Sequence, residues 1–111
     1  METTVKINGE EKRVKASAFS PFLYQDIFDR NLDEDVVHIA QNDAEAYMVI
    51  SRMLYAFLCQ ANTDLVRDKK HFEVWLDDID EEQIIGAATS VIELYTANKT
   101  TKVKIKKKQA Q

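Results

Sequence analysis

Asn42 to Ala61 reads NDAEAYMVISRMLYAFLCQA, and how this stretch is read decides the fold. Asn42 is placed to cap a first helical turn through its side chain, and Glu45, three residues on, completes a capping-box pattern. Tyr47, Ile50, Leu54, Phe57, Leu58 and Ala61 then follow at i, i+3, i+7, i+10, i+11 and i+14, one continuous helical stripe. Met48, Tyr55 and Cys59 load a second face, so late in the helix only Arg52 and Gln60 interrupt its apolar character. A helix apolar around most of its circumference is covered from more than one side, which makes this the central element. Glu45 and Arg52 inside the segment argue against a membrane span.

Working outward toward the N-terminus, Thr3–Ile7 and Arg13–Phe19 flank Asn8-Gly9, the strongest two-residue hairpin signal, because a type I′ turn needs positive φ at both central positions. Val5 and Ile7 on one arm, and Val14, Ala16 and Ala18 on the other, alternate with polar residues. A hairpin alone is marginal in water, so its apolar face is expected against helices. Ser20-Pro21 reads as N-cap and N1 of a helix to about Asp29 or Arg30, carrying Phe22, Leu23, Tyr24, Ile27 and Phe28, with Asn31 as its stop. Asp33 to Asp35 start a short helix through Val36, Val37, Ile39 and Ala40.

Beyond the central helix, Asn62–Lys70 is polar and reads as a loop. His71–Ile79, HFEVWLDDI, puts Phe72, Trp75 and Leu76 on one helical face. Asp80 with Gln83 repeats the capping-box pattern. Ile84, Ala88, Val91, Ile92 and Tyr95 mark a final helix to about Ala97, stopped at Asn98. The expectation is an α+β fold: an N-terminal β-hairpin packed on a bundle of four to five helices, with a flexible basic C-terminal tail.

Composition bounds the function classes. The chain has 111 residues, net charge −4, two Gly, one Pro and one Cys, with 45% hydrophobic residues, which fits one ordered, mainly helical domain. All 19 acids lie before residue 99 beside nine bases, so residues 1–98 carry −10; the following segment holds Lys99, Lys102, Lys104, Lys106, Lys107 and Lys108 and no acid. Residues 1–98 therefore read as the body and 99–111 as a lysine-rich tail. The N-terminus lacks the apolar segment of a secretory signal, and a cytoplasmic location is expected. Cys59 excludes a disulfide framework and reads as a small buried hydrophobe.

No catalytic or metal constellation emerges. His38 and His71 have no i, i+4 histidine partner. The cluster Asp77, Asp78, Asp80, Glu81 and Glu82 lacks the alternation and central glycine of a calcium loop, and its acids fall where a helix start favours negative charge. There is no phosphate-binding glycine loop or nucleophile elbow. The residues point to a non-catalytic helical domain with no cofactor and no metal. Six lysines could contact nucleic-acid phosphates, but the body is acidic and the tail has neither aromatic residues for stacking nor arginine for base contacts.

The order of features resembles the tail assembly chaperones of long-tailed bacteriophages with non-contractile tails. The pieces are the hairpin VKINGEEKRVKASAF, the proline-opened helix SPFLYQDIFDRNL, an apolar helix, the acidic tryptophan motif FEVWLDDI and the lysine-rich end TTKVKIKKK. In that family the Tyr-x-x-x-Phe stretch commonly runs into Gly-x-Asp; here Tyr24 and Phe28 are followed by Asp29, Arg30 and Asn31. The resemblance implies a non-enzymatic protein of the host cytoplasm, absent from the finished virion. Its implied partners are the tape measure protein, which it keeps soluble, and the tail-tube subunits it helps deliver; self-association is a further expectation. A longer frameshifted form is also implied, and Lys106–Lys108 is the run an A-rich slippery stretch encodes. The candidate client-facing residues are the aromatics least needed by a core, Phe22, Tyr24, Phe28, Phe72 and Trp75, with core packing the competing fate of each. Two rival functions remain: a nucleic-acid-associated regulator using the lysine tail, and a structural tail or head-completion protein.

Overall fold

The computed structural model describes the backbone of residues 1–110 and the side chains of residues 1–99. Its elements are β1 (Glu2–Ile7), β2 (Glu10–Lys15), α1 (Ser20–Phe28), α2 (Leu32–Gln41), α3 (Ala46–Ala61), α4 (Lys69–Asp77) and α5 (Glu81–Ala110). The architecture is the expected α+β fold, a two-stranded antiparallel hairpin followed by five helices.

Asn8 and Gly9 take φ of 52° and 79°, the left-handed pair that a two-residue turn requires. Val5, Ile7, Val14 and Ala16 are buried, whereas Ala18 is exposed because β2 ends at Lys15. The hairpin lies on two helices, β2 against α3 and β1 against α5. At its tip the Gln83 side chain pairs with Asn8: the Asn8 N–H donates to Gln83 Oε1, and Gln83 Nε2 donates to Asn8 Oδ1 at 2.9 Å. Gln83 thus holds the turn instead of completing the capping box expected with Asp80.

α3 is the central helix. It packs against β2 and all four other helices, and Val49, Met53, Leu54, Phe57 and Cys59 are fully buried. Its two polar interruptions are cross-links. Gln60 accepts from the Ser20 hydroxyl at 2.7 Å and donates to Ser17 Oγ at 2.6 Å, clasping the end of α3 to the start of α1. Arg52 reaches the buried Asp35 on α2 at 3.5 Å.

Several boundaries differ from the sequence reading, each because another group satisfies the backbone. Phe19, not Ser20, occupies the N-cap of α1, and the Ser20 hydroxyl accepts from the Ser17 N–H at 2.9 Å. Asp29, at φ 55°, closes α1, leaving Asn31 free to cap α2 by accepting from the Glu34 N–H at 2.9 Å. Asn42 ends α2 in the left-handed conformation at φ 50° instead of starting α3. Before α3, it is Asp43 that accepts from the Glu45 N–H, at 2.9 Å.

Asn98 does not stop α5, which runs from Glu81 to Ala110. Lys99 sits 3.0 Å from Asp33 at the start of α2, and Tyr95 donates to the same carboxylate at 2.6 Å. The expectations placed on Lys102, Lys104, Lys106, Lys107 and Lys108 fall outside the described side chains. Among the described residues, no helix is long and apolar enough to cross a membrane.

Candidate functional site: a trough between α1, α3 and α4

Four of the five aromatics expected to face a client pack together instead. Tyr24 and Phe28 meet edge to face at 5.1 Å, Phe28 and Phe72 at 4.9 Å, and Tyr55 joins Phe72 at 5.5 Å and Trp75 at 5.2 Å. Tyr24, Phe28 and Phe72 are buried and Trp75 is half-buried. This is a correction to the sequence reading: α1 and α4 have nine residues each, and helices so short are held by what they bury, not by their own backbone. Their largest side chains are therefore taken by the core. Phe22 is the exception, 73% exposed, with Phe19 also exposed at 51%.

The cluster nevertheless reaches the surface along one side. A trough of about 710 Å³ lies between the end of α1, the first half of α3 and one face of α4. Ile27, Phe28, Met48, Phe72 and Leu76 supply its apolar lining. On α4 the lining positions are 69, 72, 73, 76 and 77, which is one helical face about 12 Å long at 1.5 Å per residue. Asp26 from α1, Asp29 from its C-cap, and Glu73 and Asp77 from α4 are exposed carboxylates along its walls. A smaller pocket of about 170 Å³, bounded by Ile7, Leu58, Leu65 and Trp75, lies under the hairpin.

Arg30 and Arg52 also line the trough, and both are committed to Asp35. Arg30 donates to its two oxygens at 2.7 and 2.8 Å, Arg52 at 3.5 Å and the Tyr24 hydroxyl at 2.6 Å. Burial pushes the Asp35 carboxyl up and is the largest single influence, but the hydrogen bonds from Arg30 and Tyr24 and the two guanidinium charges together outweigh it. The carboxyl is held below its ordinary value. Burial, reinforced by this carboxylate, raises the Tyr24 hydroxyl. The network is thus a fixed ionic floor joining α1, α2 and α3, and sequence reading missed it. Its one visible signal is Arg52, an isolated cation in an otherwise apolar helical run.

Other sequence candidates lie elsewhere. Cys59 is buried in the core, and burial pushes its thiol up to about 11, the setting of an unreactive cysteine. His38 pairs with Asp43 and His71 with Asp68, each at 2.7 Å on the surface. Among the described residues no group of three or more His, Cys, Asp or Glu side chains is arranged to hold a metal ion. Comparison with protein-family models, with characterised proteins and with solved structures returned no match.

Proposed function

We propose that this chain is a tail assembly chaperone of a long, non-contractile-tailed bacteriophage. In this reading it binds the tape measure protein in the host cytoplasm, keeps that rod soluble and helps recruit tail-tube subunits, without entering the mature virion. The order of sequence features supports it, from hairpin and proline-opened helix through the tryptophan motif to the lysine-rich end. The observation that carries the binding role is the trough, an apolar strip about two helical turns long between charged walls. That is the shape in which an amphipathic helix lays its apolar face, and helical segments are what a tape measure rod offers.

The test is co-expression with the tape measure protein of the same phage. The expected result is a soluble complex that co-elutes in gel filtration, where the tape measure protein alone precipitates. A tape measure protein that stays insoluble, with no complex formed, would refute the chaperone reading. Recovery of this chain from purified virions would favour a structural tail or head-completion component instead.

A further inference from the structure

We infer that the occupant of the trough is a helix with large apolar anchors flanked by lysine or arginine; the inference rests on the reading of this chain as a binder of a helical client. The reason is the charge left over once internal pairs are made. Arg30 and Arg52 are turned onto the buried Asp35, Arg30 through both carboxylate oxygens. Of the lining cations only Lys69 remains, against the four carboxylates of Asp26, Asp29, Glu73 and Asp77. No ion pair joins any of these four to a cation among the described residues.

Their placement is as informative as their number. Asp26 lies in the last turn of α1 and Asp29 at its left-handed C-cap, while Glu73 and Asp77, four apart on α4, project from one face of that helix; all four line the trough. The two pairs border an apolar strip containing Phe28, Phe72 and Leu76. A helix seated there places apolar anchors at i and i+3 or i+4 on the strip. Its flanking positions then meet carboxylates on both sides. Cationic flanks gain from that field, whereas acidic flanks meet like charge, which selects the partner more than it tightens binding. Clients of this chemistry are distinguished from equally apolar, acidic-flanked helices.

The experiment uses the full chain and two synthetic amphipathic helical peptides with the same leucine pattern, one flanked by lysine and one by glutamate. Titration calorimetry is expected to show the lysine peptide binding at least about ten-fold more tightly, with the preference shrinking as salt rises. The double variant Glu73→Lys, Asp77→Lys is expected to remove or invert that preference while melting within a few degrees of the parent. Should that variant fold poorly, Glu73→Gln with Asp77→Asn serves, and a reduced preference is expected. Equal affinity for both peptides, or a preference unchanged by the variants, overturns the inference. So does salt-dependent self-association of the parent chain that the same variants abolish, since the lysine-rich segment of a second copy would then be the occupant. A tape measure complex that forms and survives Glu73→Lys, Asp77→Lys refutes this inference but leaves the chaperone reading standing. Lysine-peptide binding at the trough with no tape measure complex does the reverse.

Discussion

Replacing Asp35 with asparagine removes one charge from the least exposed ionic group among the described residues, and the cost follows from its contacts. Asp35 is 4% exposed and accepts from Tyr24, Arg30 and Arg52. Asparagine keeps the shape but offers one oxygen and turns an NH2 group toward donors. Arg30 is 44% exposed in its side chain, so water recovers much of its loss, and about 1 kcal/mol is the appropriate share there. The Tyr24 hydroxyl is fully buried and loses a charged acceptor, for about 1–2 kcal/mol. Arg52, 16% exposed and at the longer distance, contributes less than a close pair. The total is about 3 kcal/mol at neutral pH, the low end for breaking a buried ionic network.

For a domain of this size that is a fall in Tm of about 12 °C, at roughly 4 °C per kcal/mol. The assay is thermal and urea unfolding followed by circular dichroism. The pH dependence has a definite sign. The Asp35 carboxyl is held below its ordinary value of 3.8 in the folded state, so its stabilisation is present above that value. It is lost as pH falls through the lower, folded-state value. The gap between parent and Asp35→Asn is therefore expected to be constant near neutrality and to close in acid. A loss under about 1 kcal/mol at pH 7, or a gap that widens in acid, would refute this account of the network.

Three further outcomes follow from local structure. Gly9→Val forces a β-branched residue to φ near 79° and is expected to cost about 1–3 kcal/mol; an unchanged melting temperature would show that the turn relaxes freely. Leu54→Ala and Phe57→Ala, at fully buried positions of α3, are each expected to lose roughly 2–5 kcal/mol in urea unfolding, and a loss below that range would mean the core recloses around them. Cys59, with its thiol raised to about 11 by burial, is expected to react with a thiol reagent at pH 8 at least ~100-fold more slowly than in denaturant; comparable rates would place it in a mobile, accessible region.

The periodic and turn signals of the chain determined most of the fold. Asn8-Gly9 specifies a hairpin because few residue pairs tolerate two positive φ values, and the α3 stripe specifies a central helix because its apolar residues cover most of its circumference. Both are local properties, legible without knowing what lies across the space. The aromatics were not decided that way. Phe22 and Phe28 share a nine-residue helix, yet one is exposed and the other packs on Phe72, because α4 returns to only one side of α1. Asn31 and Asn42 are equally good at starting and stopping helices by chemistry, and only the path of the chain assigned the first to a start and the second to a stop. Arg52 could be read as a blemish in an apolar helix until α2 brought Asp35 beneath it. The trough depends on the same long-range placement: its carboxylates come from residues 26–29 and 73–77, and nothing local to either segment records that they face one another.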